Sequence, residues 1–348
     1  MAYQFADTFD HYNTPSQMYD TIVGSPVISS AYARVAQIGA YTHQGILLPA
    51  GSASVRKNLK SNQGHLIVFM SYGGPLPTSA NCSFLNFYDS GTWQFSLEIL
   101  STGALACYRG SGGSGVLLAQ SAAGLITATT VPAHGIEIEI VFSATVGSVQ
   151  VWMDGAVVIP LTTGLNTIQT ANAYANQVQI GYVSGTGTAI YCDYLRVWDN
   201  TGSFQNAPLT KDCLKFTSLP SGPGNLTNWT PNGAGANWQC VNENPPDGDT
   251  TYVSSAGTLT DSYAMPSGGF LVAPSMVVAK SYARKDDGAT RALEVGVRSS
   301  GVNGLGSPVT LGSSYVFVDA CISTDPATGI APTAAAANAF QHCKFEST

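Results

Sequence analysis

The sequence predicts an all-β protein built from two domains. Three observations predict it: apolar and polar residues alternate along most segments, 37 of the 348 residues are glycine, and only 10% are charged. Strict alternation is typical of half-buried strands. A typical soluble domain carries about 25% charged residues, so this composition favours broad sheets over long salt-bridged helices.

The clearest strands lie in the N-terminal part. Apolar residues take the odd positions of segment 93–99 and the even positions of segment 136–140. Segment 149–153 is followed by Asp154 and Gly155 and then by another strand-like run. Because both central residues of a type I′ turn need a positive φ, this Asp-Gly pair predicts a β-hairpin.

Two other segments have a predicted local structure. The glycine-rich segment 110–115 matches the letters of a dinucleotide-binding motif, but a strand-like run follows it where that motif requires a helix. We therefore expect a hairpin loop there. Helical signal is concentrated in segment 332–341, where Pro332 and Thr333 open a short alanine-rich helix.

A change in composition divides the chain near residues 199–208. Turn-forming residues precede Pro208, and segment 216–251 is rich in Gly, Pro, Asn and Thr before strands return. We therefore predict one domain over residues 1–204 and a smaller β-sandwich over residues 205–348.

Charge and hydropathy argue against two classes of function. The formal net charge is −7, and the densest basic cluster is Arg56, Lys57 and Lys60, whereas binding to a phosphate backbone needs many clustered cations. No apolar run approaches the roughly 20 residues of a membrane span. Residues 1–13 also lack the features of a secretory leader. We expect no nucleic acid, no membrane, and folding in a cytosol-like compartment.

Five segments of the first domain occur in a characteristic order. They are residues 5–10, 108–110, 136–140, 149–155 and 192–199. In that order they resemble a laminin-G/concanavalin-like jelly roll, in which a V-x-V-x-x-D-G strand precedes a final D-x-L-x-V-W-D strand. The resemblance covers residues 1 to about 204 and implies two packed antiparallel sheets.

Four segments of the second domain extend the resemblance. They are residues 228–231, 241–253, 283–288 and 325–329. They resemble tailed-phage virion proteins that carry a laminin-G-like domain followed by a second β module. This implies a structural protein of the virion, assembled in the host cytoplasm. We expect it to decorate the capsid as a homo-oligomer bound to other virion proteins, without catalysis.

A tail-associated protein that binds a host carbohydrate or receptor is the alternative function. Trp229 and Trp238, in a Gly- and Asn-rich loop region, are the candidate glycan contacts, because aromatic side chains present a flat apolar face with a polar edge. The competing interpretation is that these tryptophans close the end of a sandwich.

A glycan-degrading enzyme is the third interpretation. Glu137 and Glu139 are two residues apart, which places both carboxylates on one face of a strand, and retaining glycosidases use two carboxyls about 5 Å apart. The strand resembles that of concanavalin-like glucanases, but Val141 and Phe142 stand where their third acid would be. We therefore expect a solvated strand face opposite a core of isoleucines, and no enzyme.

The seven cysteines suggest covalent reinforcement of a virion. Their odd number is typical of a protein with an intermolecular bridge. Cys213, Cys240 and Cys343 are the candidates for disulfides within or between subunits, because they lie in loop or terminal contexts. The alternative is that they are buried free thiols. No C-x₂-C pair predicts a zinc site.

Calcium is the one metal that the resemblance to the jelly roll suggests. Relatives of the jelly roll bind Ca²⁺ at a sheet rim through oxygen ligands. Asp7, Asp10, Asp193 and Asp199 lie on terminal strands that pair in that fold, but Cys192 stands where virion relatives often have another Asp. We expect no cofactor, with Ca²⁺ as the alternative.

Overall fold

β-Strands are the predominant regular secondary structure of the protein, as the sequence predicts. The structure, a computed structural model, describes residues 3–33, 37–38, 41–51, 53–78, 81–111, 115–129, 132–181, 189–201, 206–211, 217–233, 235–270 and 272–347. In these ranges α-helix is confined to α1 (Ala334–Asn338). None of the helices found in them is long and apolar enough to cross a membrane.

The chain forms two compact units. One comprises Met1–Gln37 with Thr42–Lys215, and the other comprises Ile38–Tyr41 with Phe216–Thr348. The sequence-based boundary at 204/205 lies shortly before this division.

The described residues before the division form seventeen strands, and the short pair β4 and β5 forms a separate two-stranded sheet. The strands are β1 (Tyr3–Asp7), β2 (Thr21–Val23), β3 (Val27–Ser29), β4 (Gln37–Ile38), β5 (Tyr41–Thr42), β6 (Gly45–Leu48), β7 (Ser54–Gln63), β8 (His65–Gly73), β9 (Cys82–Asp89), β10 (Thr92–Ile99), β11 (Leu105–Arg109), β12 (Val116–Gln120), β13 (His134–Val141), β14 (Gly147–Met153), β15 (Ala156–Leu165), β16 (Ala175–Gly181) and β17 (Ile190–Trp198). Single 3₁₀ turns occur at Pro15–Gln17 and Ser30–Tyr32.

Two antiparallel sheets make the first unit a jelly-roll sandwich. The eight-stranded sheet has the order β15-β14-β13-β8-β17-β6-β3, with β1 also paired to β17, and the seven-stranded sheet has the order β12-β11-β10-β9-β16-β7-β2. Val68 and Ile138 of the first sheet and Leu85 and Phe87 of the second are fully buried. Since alternate side chains point to opposite faces, these residues form the shared core.

The predicted turns of the first unit are confirmed. Asp154 and Gly155 have φ values of 51° and 84° and connect β14 to β15. The glycine-rich segment connects the antiparallel pair β11 and β12, although residues 112–114 lie outside the described ranges. No helix opens after this segment, so the hairpin interpretation holds.

Gln94 of β10 ties a long loop to the seven-stranded sheet. Its Nε2 donates to Thr170 Oγ1, to Asn172 O and to Tyr174 O at 2.8–3.1 Å. Its Oε1 accepts from the backbone N–H groups of Gln169 and Thr170 at 2.6 and 2.9 Å. The side chain is fully buried, so these bonds are shielded from water.

Gln94→Ala is expected to lower the free energy of unfolding by about 3 kcal/mol, because it leaves several buried backbone groups without a partner. Urea denaturation of the full chain measures this loss. Gln120→Ala is the matched control, since Gln120 is exposed on the edge strand β12, and it should cost less than about 0.5 kcal/mol. Equal losses for the two variants would contradict the anchoring role.

The part of the chain described after the division contains ten strands. They are β18 (Gly222–Thr227), β19 (Thr230–Asn232), β20 (Tyr252–Ser254), β21 (Thr260–Ala264), β22 (Val277–Ala283), β23 (Ala292–Ser299), β24 (Val302–Leu305), β25 (Val309–Thr310), β26 (Val316–Ile322) and β27 (Gln341–Ser347). A six-stranded sheet has the order β18-β21-β27-β23-β24, with β25 also paired to β23, and the pairs β22-β26 and β19-β20 form two-stranded ribbons.

The second unit is also a β-sandwich. Val295 and Val297 of β23 share one buried apolar cluster with Val318 and Ala320 of β26. The predicted short helix is confirmed as α1. The Thr333 hydroxyl caps it by accepting from the Ala336 N–H at 3.1 Å.

Candidate functional site

Polar side chains cross the seven-stranded sheet in one register row. Arg56, Gln179, Asn86, Ser96 and Tyr108 lie directly opposite one another on β7, β16, β9, β10 and β11. On the three middle strands, neighbouring residues such as Val178, Leu85 and Phe95 belong to the core, so the row lies on the outer face of the sheet. We call these five residues the polar row.

Hydrogen bonds connect one end of the polar row. Arg56 donates through Nε and Nη2 to Gln179 Oε1 at 2.9 and 2.8 Å. Asn86 donates to Gly181 O at 3.1 Å, and it accepts a bond from the Ser83 hydroxyl. These bonds hold a guanidinium and two amides in fixed orientations, which is the kind of arrangement that gives a small-ligand site its specificity.

The other end of the polar row is built around a buried carboxylate. Ser96 Oγ donates to Glu98 Oε1 at 3.0 Å, and Glu98 is buried on the same face. Tyr108 accepts from Asn81 Nδ2 at 3.2 Å. Arg56 and Tyr108 are half-buried, whereas the three middle residues are buried. The row therefore has a polar floor with a more accessible group at each end.

A tilted aromatic pair lies beside the polar row. Tyr88 pairs with Trp93 in register, their ring centres are 5.4 Å apart, and Arg56 Cζ lies 3.8 Å from the centre of the Tyr88 ring. Burial raises the pKa of Tyr88 to about 12, so its hydroxyl stays protonated at neutral pH. Neither that hydroxyl, which is close to Arg56, nor Trp93 Nε1 makes a hydrogen bond of normal geometry with a described residue.

The polar row was not predicted from the sequence. Arg56 and Gln179 are 123 positions apart in the chain. Alternation within each strand shows which residues face outward, but it does not show which strands become neighbours. The sequence showed one outward polar residue within each strand. That these residues form a row follows only from the order of the strands in the sheet.

The structure corrects the expectation for Glu137. Ile136 and Ile138 are fully buried, as predicted, but Glu137 is 2% exposed and is not solvated. Its carboxylate accepts from the N–H groups of Leu209 and Thr210 at 3.0 and 2.9 Å, because segment 206–211 crosses this face. Burial raises the pKa of Glu137. The carboxylate of Glu137, the best catalytic candidate, is therefore already hydrogen-bonded to the chain's own backbone.

The two predicted glycan-contact tryptophans belong to the second unit. Trp229 packs against its core, donates through Nε1 to Leu259 O at 3.1 Å, and has Lys344 Nζ 4.9 Å from its ring centre. Trp238 is half-buried in the 3₁₀ turn Asn237–Cys240. One face of Trp229 is therefore already occupied, and glycan contact by this pair stays a prediction.

A buried charged pair lies at the centre of the second unit. Asp261 is fully buried and accepts from Asn228 N–H at 2.8 Å, from Asn237 Nδ2 at 2.9 Å and from the Tyr263 hydroxyl at 2.6 Å. Lys344 lies opposite Asp261 in register and is 7% exposed. Burial lowers the pKa of Lys344 to about 8, against the opposing effect of Asp261.

Two of the three candidate bridging cysteines are buried as thiols. Cys240 ends a 3₁₀ turn, and Cys343 lies within β27, between β21 and β23. Burial raises the pKa of both thiols, that of Cys343 to about 11. Since the thiolate is the reactive form, neither is placed to react without local opening. Cys213 lies outside the described residues, and the disulfide hypothesis stays a prediction.

The four candidate calcium ligands, Asp7, Asp10, Asp193 and Asp199, are all buried. Asp7 accepts a hydrogen bond from the Tyr12 hydroxyl, and Asp10 Oδ2 lies 3.1 Å from His43 Nδ1. Several of these carboxylate oxygens therefore already have hydrogen-bond partners within the protein. Within the part of the chain that the structure describes, no three His, Cys, Asp or Glu side chains form a metal-ligand group. A Ca²⁺ site stays a prediction.

No protein-family model and no curated protein sequence matches the chain. Among solved structures, the cellulose-induced protein Cip1 aligns over 56% of this chain and 96% of its own, with 12% identity and a TM-score of 0.40. Domain 4 of AbnA, a GH43 extracellular arabinanase from Geobacillus stearothermophilus solved with arabinotriose, aligns over 57% and 93%, with 14% identity and a TM-score of 0.32. The carbohydrate-binding module CBM66 from Bacillus subtilis aligns over 45% and 87%, with 5% identity and a TM-score of 0.30. At these scores the similarities assign no activity to this chain.

Proposed function

We propose that the protein binds a carbohydrate, without catalysis, on the outer face of its seven-stranded sheet. The observation that carries this proposal is the in-register polar row beside the aromatic pair Tyr88 and Trp93, with Arg56 over the Tyr88 ring. A sugar offers hydroxyl groups that both donate and accept, together with apolar C–H faces. The half-buried Arg56 and Tyr108 satisfy the former, and the half-buried Trp93 ring satisfies the latter, while the buried amides of the polar row hold this face in place.

The positions of the carboxylates favour binding of a carbohydrate without its hydrolysis. Glu137, the strongest catalytic candidate from the sequence, is held by the N–H groups of Leu209 and Thr210. Glu98 accepts from Ser96 within the polar face. Glycoside hydrolysis needs two carboxyls that flank the scissile bond, and we do not assign such a pair.

The capsid-decoration function and the virion partners rest on the sequence resemblance alone. They stay predictions, and immuno-electron microscopy of a particle that contains the protein would test them. A carbohydrate-binding face is compatible with a tail-associated receptor-binding protein, the alternative that the sequence left open.

A glycan array followed by calorimetric titration of the strongest ligand tests the proposal. Tyr108→Ala is expected to weaken binding at least about tenfold, because it removes a ring and a hydroxyl from the accessible end of the polar row. Tyr191→Ala is the matched control. Tyr191 is equally half-buried but lies on the eight-stranded sheet, against Tyr32, and its loss should leave affinity unchanged. Saturable binding that is equally weakened by both variants would contradict the proposed face.

A further inference from the structure

Two neighbouring side chains on β17 hold buried N–H groups that have no acceptor. Arg196 is 2% exposed and Trp198 is 3% exposed. Nε and Nη2 of Arg196 and Nε1 of Trp198 make no hydrogen bond with any described residue. Both side chains point to the same face of the strand, and Arg196 Cζ lies 4.6 Å from the centre of the Trp198 ring. We call the three nitrogens the donor cluster.

An unsatisfied donor cluster is energetically costly. Each buried donor without a partner costs about 1–3 kcal/mol, and a charged donor costs more. Arginine and tryptophan side chains carry no acceptor atoms, so the two residues cannot satisfy each other. The charge of Arg196 acts on the nearby Glu137 carboxylate and lowers its pKa, but Nε and Nη2 of Arg196 make no hydrogen bond with it.

We propose that the donor cluster binds the oxyanion of a small ligand, a carboxylate or a sulfate group. An oxyanion offers only acceptors, which complements a cluster that offers only donors, and a guanidinium matches the geometry of its paired oxygens. Leu209 packs on the same face, against Ile67, Phe69 and Trp198. This cover selects a small group over an extended polymer. The site lies on the eight-stranded sheet and is separate from the polar row.

Anion titrations of the full chain test the donor cluster. Sodium sulfate, sodium acetate and sodium galacturonate are each compared with sodium chloride at matched ionic strength, and thermal unfolding is the measurement. We expect at least one of the three anions to raise the melting temperature saturably above the chloride control, since a ligand that binds the folded state stabilises it. Sulfate would identify a sulfate group, acetate a free carboxylate, and galacturonate alone a carboxylate carried on a sugar.

Variants separate specific binding from general salt effects. Arg196→Met is expected to abolish the anion response. Its stability without anion reflects two opposing effects, since unsatisfied buried donors are removed but the buried Glu137 carboxylate loses a nearby positive charge. Trp198→Phe keeps an aromatic ring but removes one donor, so affinity should fall about tenfold. Arg284→Met is the control and should keep the full response, because Arg284 is paired with Asp249 in the second unit.

Two results would overturn the inference. One is a parent protein that responds to all three anions no more than to chloride. The other is an Arg196→Met variant that responds as the parent does. If Arg196→Met does not fold, the comparison of Trp198→Phe with the parent decides: an unchanged affinity in that variant rejects the donor cluster. None of these outcomes depends on whether the polar row binds a glycan.

Discussion

Replacing Asp261 by alanine is expected to lower the free energy of unfolding of the second unit by about 3–5 kcal/mol. The carboxylate satisfies donors from Asn228, Asn237 and Tyr263 and is the register partner of Lys344. Its removal leaves the buried side-chain donors of Asn237 and Tyr263 without this acceptor and the buried Lys344 ammonium without a neighbouring negative charge. Urea denaturation of the full chain, followed by a probe of the second unit, measures the loss.

The control for this prediction is Asp286→Ala, since Asp286 lies exposed in a turn of the same unit. It should change stability by less than about 0.5 kcal/mol. Adding Lys344→Met to Asp261→Ala should recover part of the loss, because the uncompensated charge is then removed. A loss below about 1 kcal/mol for Asp261→Ala would show that Asp261 does not organise this unit.

Stability of the second unit is expected to rise between about pH 8 and pH 10.5 through Lys344. Its pKa falls from an ordinary 10.5 to about 8 in the folded protein, chiefly because of burial. In that window the unfolded chain binds a proton at Lys344 and the folded chain does not, so each rise in pH favours folding. The total rise is up to about 3 kcal/mol. Above pH 10.5 Lys344 is deprotonated in both states, so it causes no further rise.

The measurement is the difference in unfolding free energy between the parent and Lys344→Met at pH 8 and at pH 9.5. This difference isolates Lys344 from buried tyrosines such as Tyr263, whose raised pKa works in the opposite direction at high pH. The parent should gain stability relative to the variant as the pH rises. A difference that stays constant between pH 8 and pH 9.5 would mean that folding does not lower the pKa of Lys344.

Local patterning predicted most of the fold. Alternation located the strands, the Asp154-Gly155 pair located a hairpin, and Thr333 marked the start of α1. These features depend on residues close together in sequence, where backbone preference and side-chain period act directly.

Contacts between distant segments were not predictable in the same way. Glu137 is a polar residue of an alternating strand, and nothing in its own segment shows that the backbone at Leu209 and Thr210 covers it. The contact on the Trp229 ring was unpredictable for a similar reason, since Lys344, whose Nζ lies 4.9 Å from the ring centre, comes more than a hundred positions later. Alternation specifies the face of a strand but not what packs on that face.

The most direct test of carbohydrate binding is a two-dimensional NMR titration that follows the indole N–H signals of the five tryptophans. Trp93 lies beside the polar row, Trp152 and Trp198 lie in the eight-stranded sheet, and Trp229 and Trp238 lie in the second unit. At saturating glycan, the proposal predicts a shift of the Trp93 signal with the other four nearly unchanged. Shifts confined to Trp229 and Trp238, with Trp93 unmoved, would contradict it.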